Sequence, residues 1–181
     1  MNKRLLIIGG VAGGGSCAAR ARRHSEDMEI LIFERGPFVS FANCGLPYYV
    51  GHVIEKEEDL IVASPERFKD YFNVDVRLGH NVHRIDCEKK EIDVENTATG
   101  QICIEPYDTL VISPGSAPIF PPLEGIDLPG IFTVKTIPDT REIMNWIEHR
   151  GVKKAAVIGG GFLGLEMAEN LKQRGLSGSI V

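Results

Sequence analysis

The sequence predicts an α/β fold in which two nucleotide-binding strand–turn–helix units follow one another, with a small antiparallel β insertion between them. Three observations carry this. A short apolar run, Leu5-Leu6-Ile7-Ile8, enters a glycine-dense turn, Gly9-Gly10-Val11-Ala12-Gly13-Gly14-Gly15, and then a stretch of helical composition from Ser16 to Arg23. The same order returns at Lys154 to Ile158, then Gly159-Gly160-Gly161-Phe162-Leu163-Gly164, then Leu165 to Arg174. Between them, residues from Val74 to Glu105 alternate apolar and polar side chains in short runs, the period of strands rather than helices.

A second strand, Glu29-Ile30-Leu31-Ile32-Phe33, ends at Glu34, about 25 residues after Gly9, where a dinucleotide fold places an acid to bind ribose hydroxyls. A strict G-x-G-x-x-G from Gly9 would need glycine at 11, where Val11 stands. The position between two strands, with Glu34 closing the unit, makes the motif specific. Pyrophosphate would sit at the helix N-terminus, where free N–H groups and the helix dipole meet negative charge.

The next stretch, Ser40-Phe41-Ala42-Asn43-Cys44-Gly45-Leu46-Pro47-Tyr48-Tyr49, puts one cysteine at the start of a helix expected over 44–50 and ended by Gly51. Pro47 suits a first helical turn, where its missing N–H costs nothing. A helix start favours a thiolate, and Ser40 and Asn43 supply groups that hydrogen-bond one, so Cys44 reads as a redox nucleophile. The other place for such a residue is among small buried hydrophobes.

Beyond it, acids at 55, 57, 58 and 59 read as solvated surface, and Ser64-Pro65 as an N-cap with proline at the first position of a helix over 65–72, ended by Asn73. The antiparallel insertion is expected from Val74–Leu78, Asn81–Asp86 and a hairpin of Glu91–Glu95 with Gln101–Glu105 around Ala98-Thr99-Gly100. His80 and His83 lie near it without companions that would make a metal-ligand set, and read as surface residues. Tyr107 to Ser116 reads as a buried parallel strand ending in a tight turn, Ser113-Pro114-Gly115, where a flat cofactor or its phosphates can approach the backbone. Ala117 to Gly130, with four prolines, is the expected linker, followed by a helix over Asp139 to Arg150. The domains are therefore expected at 1–120 and, with the linker, 121–181. Val181 falls in the second strand of the second unit, so the sequence reads as the front part of a larger protein, and the residue that would select NADH or NADPH lies beyond it.

The net charge of -5 argues against a general nucleic-acid binder. Against that background Arg20, Arg22 and Arg23 form a basic cluster able to hold the phosphates of a small ligand, or simply a solvated helix face. Cysteines 17, 44, 87 and 103 have neither C-x-x-C nor metal-ligand spacing, which fits free thiols in a reducing cytoplasm. The N-terminus does not read as a signal peptide, and no apolar run approaches the ~20 residues of a membrane span.

Together these motifs resemble the FAD-dependent pyridine nucleotide-disulfide oxidoreductases, in particular their single-cysteine branch of coenzyme A-disulfide reductases, persulfide reductases and NADH oxidases. The resemblance implies a Rossmann-like FAD-binding domain followed by the start of a Rossmann-like NAD(P)H-binding domain. It implies that Cys44 is the redox nucleophile, with Asn43 and Ser40 lining its pocket. Val39 and Tyr49 occupy the positions five away from Cys44, so the C-x-x-x-x-C disulfide of the two-cysteine relatives is absent. It assigns FAD to Gly9, Gly10, Val11, Ala12, Gly13, Gly14, Glu34, Arg35, Val82, Ser113, Pro114 and Gly115. NAD(P)H is assigned to Gly159, Gly161, Phe162, Leu163, Gly164 and Glu166, and coenzyme A to Ser16, Arg20 and Arg23 with Ser40 and Asn43. Phe72 stands where some relatives carry a basic residue for CoA. The implied activity is NAD(P)H-dependent reduction of CoA disulfide or a persulfide in a cytoplasmic homodimer. NADH oxidation through a Cys44 sulfenate and a non-catalytic FAD-domain fragment are the alternatives.

Overall fold

The computed structural model describes residues 3–181. The first stretch gives β1 (Arg4–Ile8), α1 (Gly13–His24), β2 (Glu29–Glu34) and α2 (Leu46–Val50), the last preceded by a 3-10 turn at Asn43–Gly45. After a second 3-10 turn at Glu57–Leu60 come α3 (Pro65–Phe72), β3 (Asp75–Leu78), β4 (His80–Asp86), β5 (Glu91–Asn96), β6 (Ile102–Pro106) and β7 (Thr109–Ile112). The chain ends with α4 (Ile137–Arg150), β8 (Lys154–Val157), α5 (Phe162–Gln173) and β9 (Ser177–Ile180). It divides into two compact units: the stretch up to Phe41 with Ile61–Gly115, and Ala42–Leu60 with Ser116–Val181.

In the first unit four parallel strands lie in the order β3-β2-β1-β7. Successive side chains of a strand point to opposite faces, and here both faces are covered. Leu5, Ile7, Ile30 and Ile32 pack with Ala18 of α1 and Phe68 of α3 on one side; Leu6, Leu31 and Phe33 pack with Ile92 and Val94 of β5 on the other. This explains why β1 and β2 are continuous apolar runs rather than alternating ones. Each such fully buried side chain contributes about 1.5–3 kcal/mol.

Two expectations are corrected. Val74–Leu78 does not belong to the antiparallel insertion: β3 pairs parallel with β2, Ile32 opposite Val76. Alternation signals a strand with one face buried and carries no information about the direction of its partner. The strand at 109–112 is parallel, as expected, but not buried: β7 forms the sheet edge and Ile112 is 61% exposed. The antiparallel insertion is β4-β5-β6, with a register shift between Val82 and Arg84. Ser64 caps α3 by accepting from the Arg67 N–H, and Asn73 ends it at φ 44°.

A charged network ties the two layers of this unit. The Arg4 guanidinium donates to Glu29, to the Pro106 carbonyl and, at 2.8 Å, to Glu105, which also accepts from Arg77. Burial pushes the Glu105 carboxyl up, but the hydrogen bonds from Arg77 and Arg4 hold it below its ordinary value. A carboxyl depressed in the folded state contributes stability above its unfolded pKa, and that contribution is lost as pH falls through the folded value. Glu105→Gln is therefore expected to cost about 2 kcal/mol at neutral pH. The difference from wild type should shrink below about pH 4, as read by urea unfolding at both pH values.

Arg22 is also structural. It donates to the carbonyls of Ser25, Glu26, Met28, Phe72 and Asn73, fastening the ends of α1 and α3. Arg20 and Arg23 remain exposed.

In the second unit β8 and β9 pair in parallel, and Val50 packs with Ile143, Met167, Leu171 and Leu176. Helix α4 starts at a Thr136–Asp139 capping box and ends at Gly151 in the left-handed region. Glu57 departs from its reading as solvated surface: it pairs with Arg141, whose hydrogen bond lowers its pKa. Residues 117–130 contain only turns and irregular chain. No helix among the described residues is long and apolar enough to cross a membrane, and none of their His, Cys, Asp and Glu side chains cluster as metal ligands.

Candidate functional site

The two glycine turns are built alike. The Gly9 N–H donates to the Phe33 carbonyl and the Gly159 N–H to that of Val181, both at 2.8 Å, so each turn is tied to the end of its neighbouring strand. Gly9 and Gly159 have φ of 86° and 105°. A Cβ on Gly14 would lie 1.8 Å from the Gly9 carbonyl oxygen, and one on Gly164 1.9 Å from that of Gly159. These glycines let the turn fold back on its own strand and start the helix against it. Val11 and Ala12, where the first motif departs from the strict pattern, lie at the turn's outer side, half-buried and exposed.

Helices α3 and α4 are capped by Ser64 and Thr136, whereas α1 and α5 have no side-chain cap and no acid in the first turn. An α-helix leaves its first N–H groups unpaired, and a side chain, water or a ligand must satisfy them. Both helices after the glycine turns are thus left open to an anion, as is the short α2, and at α1 and α5 this fits a dinucleotide pyrophosphate.

Around the first turn, Glu34 is 8% exposed and its carboxylate is held from two sides, accepting at 2.8 Å from the Gly10 N–H and from the Gly36 N–H. Its position beside the turn is fixed, and the remaining lone pairs suit hydroxyl donors. Ser113 donates its hydroxyl to the carbonyls of Ile8 and Gly9, and a Cβ on Gly9 would meet the Ser113 carbonyl oxygen at 2.1 Å. The Ser113-Pro114-Gly115 turn is thereby brought against the first glycine turn. Ser40 joins the same group: its N–H donates to the Gly10 carbonyl, and its φ is 47°. Arg35 is exposed, and Val82 is half-buried in β4 opposite Val94, next to the register shift. Ser16, Arg20 and Arg23 are exposed at i, i+4 and i+7 on one face of α1, and neither arginine forms an ion pair with a described residue.

The cysteine segment falls in the second unit. Asn43, Cys44 and Gly45 form the 3-10 turn that continues into α2, so the helical stretch begins one residue before the expected start, and its first turn is tighter than an α-helix. Cys44 is exposed. Helix α2 lies on α5, the helix that carries Gly164 and Glu166. A Cβ on Gly51 would sit 2.4 Å from Asn170 Oδ1, Arg174 donates to the Val50 carbonyl at 2.8 Å, and the Glu166 carboxylate pushes the Tyr48 phenol above its ordinary value. Of the residues expected in the cysteine pocket, Ser40 thus belongs to the first unit, and Asn43 and Cys44 to the second. Tyr48, Asn170 and Arg174 received no role from the sequence. The spacing of Glu166, Asn170 and Arg174 at i, i+4 and i+8 was the available signal, and their partner helix was not legible.

The profile of the family described as Pyridine nucleotide-disulphide oxidoreductase matches residues 3–181. A Staphylococcus haemolyticus protein named coenzyme A disulfide reductase is 36% identical over 179 residues, covering 99% of this chain and 40% of that protein. A Methanocaldococcus jannaschii protein named NADH oxidase is 37% identical over 178 residues, covering 98% of this chain and 40% of its own. The crystal structure of reduced Bacillus anthracis CoADR-RHD superposes with a TM-score of 0.96 at 45% identity, over 99% of this chain and 32% of that one. The chain therefore spans about 40% of the length of the curated relatives it matches.

Proposed function

The chain belongs to the pyridine nucleotide-disulphide oxidoreductase family, and on that premise we propose that it is the nucleotide-binding and thiol-bearing part of an NAD(P)H-dependent flavoprotein that reduces CoA disulfide or a CoA persulfide. The observation that carries this reading is an exposed Cys44 in the helical turn that leads into α2, the helix packed on the one that leaves the second glycine turn.

In this reading residues 1–120 are the FAD-binding domain and 121–181 the linker and the beginning of the NAD(P)H-binding domain. Gly9 to Gly14, Glu34, Arg35, Val82 and Ser113 to Gly115 hold FAD; Gly159 to Gly164 and Glu166 hold the nicotinamide nucleotide. Bound FAD supplies the two-electron relay from nicotinamide hydride to sulfur. The chain's own chemistry is thiol exchange. The Cys44 thiolate attacks one sulfur of CoA disulfide, the S–S bond breaks, and one CoA leaves as thiolate while the other stays as a mixed disulfide on Cys44. Asn43 and Ser40 orient the reacting sulfur. Arg20 and Arg23, with Ser16, hold CoA phosphates by charge-assisted hydrogen bonds. The complete enzyme works as a homodimer in the cytoplasm on a small-molecule disulfide, persulfide or CoA, without nucleic acid or membrane partners.

A second reading, NADH oxidation with Cys44 passing through a sulfenate, is favoured by the likeness to the protein named NADH oxidase. Oxygen consumption without CoA-disulfide turnover in the full-length gene product would select it.

Native mass spectrometry of the full-length product tests the first reading. A CoA-sized adduct that disappears with dithiothreitol and is absent in Cys44→Ser is expected, and wild type without an adduct after incubation with CoA disulfide counts against it. Arg20→Ala with Arg23→Ala should weaken CoA binding by about tenfold at low ionic strength, a loss of roughly 1.4 kcal/mol. Isothermal calorimetry should find that difference narrowing as salt rises.

A further inference from the structure

Helices α1 and α3 lie side by side on one face of the parallel sheet, with Ala18 and Phe68 in the same core. Gly15 and Arg22 form the line of contact on α1: a Cβ on Gly15 would be 3.3 Å from the Phe68 ring, and Arg22 Nε donates to the Phe72 carbonyl at 2.7 Å. Ser16 and Arg23 each come one residue later, turned about 100° out of that line, and both are exposed. They rim the groove between the helices from the α1 side, with Arg20 one turn from either.

Lys69 fixes the orientation of the α3 rim. Its ammonium donates at 2.8 Å to Asp75 at the start of β3, the strand at the sheet edge, so Lys69 points away from α1. Arg67 and Tyr71 stand two residues to either side of it, about 200° round the helix, and therefore face α1 across the groove. The same spacing from the buried Phe68 turns the acids Glu66 and Asp70 to the outer surface, so the charges that α1 and α3 present to the groove are positive. The Arg67 guanidinium lies 5.6 Å from the centre of the Tyr71 ring and covers one of its faces. Tyr71 is nevertheless 76% exposed, which leaves the other face open. Arg20, Arg23 and Arg67 form no ion pair with a described residue.

We propose that Tyr71 is the purine platform of the CoA site: the adenine ring stacks on the open face of Tyr71, and the guanidinium groups along the groove hold the phosphates beside it. This rests on the reading of Ser16, Arg20 and Arg23 as CoA ligands, and adds the part of the molecule they leave unread, its base. An aromatic face accepts any base, so stacking supplies affinity and the arginines supply the choice of a ligand rich in phosphate. The Arg67 contact holds the Tyr71 ring in place before the ligand arrives, which lowers the cost of ordering it on binding.

Isothermal calorimetry of the full-length product with CoA and with 3′,5′-ADP, which has the base and phosphates but no thiol arm, tests this without turnover. Tyr71→Ala is expected to weaken both ligands about tenfold, the scale of losing one aromatic–base stack. Tyr71→Phe keeps the ring and should stay within about twofold of wild type. So should Lys69→Ala, on the opposite side of α3. The proposal is overturned if Tyr71→Ala binds either ligand as wild type does, or if Tyr71→Phe or Lys69→Ala loses as much as Tyr71→Ala. In each of those cases CoA binding by wild type leaves the proposed function standing. Tyr71-dependent binding of 3′,5′-ADP by a product without CoA-disulfide turnover would instead overturn the proposed function alone, and a wild type that binds neither ligand overturns both.

Discussion

Gly14→Ala is expected to destabilise the first unit by about 3 kcal/mol, the scale of forcing a methyl group into filled space. The new Cβ would lie 1.8 Å from the Gly9 carbonyl oxygen and 2.9 Å from Ile7, and the first neighbour is backbone that cannot rotate away. Relieving the clash means opening the turn, which moves the start of α1 away from β1 and takes the unpaired N–H groups out of line. Gly164→Ala meets the same obstacle in the second unit, at 1.9 Å from the Gly159 carbonyl oxygen. The pair separates the two nucleotide sites. In the full-length product, Gly14→Ala should purify colourless, whereas Gly164→Ala should keep its flavin absorbance and lose affinity for the nicotinamide nucleotide. Gly13→Ala is the control for the fold, since its Cβ meets only Ser113 Cβ at 3.4 Å, and its melting temperature should stay near that of wild type. A yellow Gly14→Ala protein with an unchanged melting curve would show that the turn tolerates a side chain.

The parts of this molecule that are set locally were legible in the sequence, because an apolar strand, a glycine where the chain doubles back, a helix cap and a hairpin turn each leave a local mark. Both strand–turn–helix units, the Ser64 cap and the β5–β6 hairpin are of this kind. What depended on pairing was not legible. Val74 to Leu78 alternates as any half-buried strand does, and only the crossover through α3 makes it parallel to β2. Thr109 to Ile112 has the apolar character of a central strand but sits at the edge of the sheet. Among the charged residues, Arg20, Arg22 and Arg23 are adjacent in sequence, yet the helix period turns Arg22 to the carbonyls at the ends of α1 and α3 and leaves the other two on the surface. The same holds for the cysteine segment: its composition reads as a reactive thiol, but its attachment to α5 through Gly51 and Val50 appears only when residues more than a hundred positions apart are brought together.

Cys44→Ser is expected to lower CoA-disulfide reduction by the full-length product more than about a thousandfold, the scale seen when a covalent nucleophile is removed. A serine hydroxyl is not ionised near neutral pH and does not exchange with a disulfide, so neither the mixed disulfide nor the released CoA thiolate can form. The substitution changes one atom of an exposed side chain, so flavin content and melting temperature should stay at their wild-type values. Cys17, Cys87 and Cys103 provide the internal comparison, because serine at any of them leaves the Cys44 sulfur in place and should leave turnover within about twofold of wild type. Stopped-flow measurement of NADH consumption with and without CoA disulfide separates the steps. The Cys44→Ser protein should consume close to one equivalent of NADH per bound flavin and then stop, whether or not disulfide is present. Continued disulfide-dependent consumption in that variant would mean that electrons reach the substrate by a route that does not pass through this sulfur.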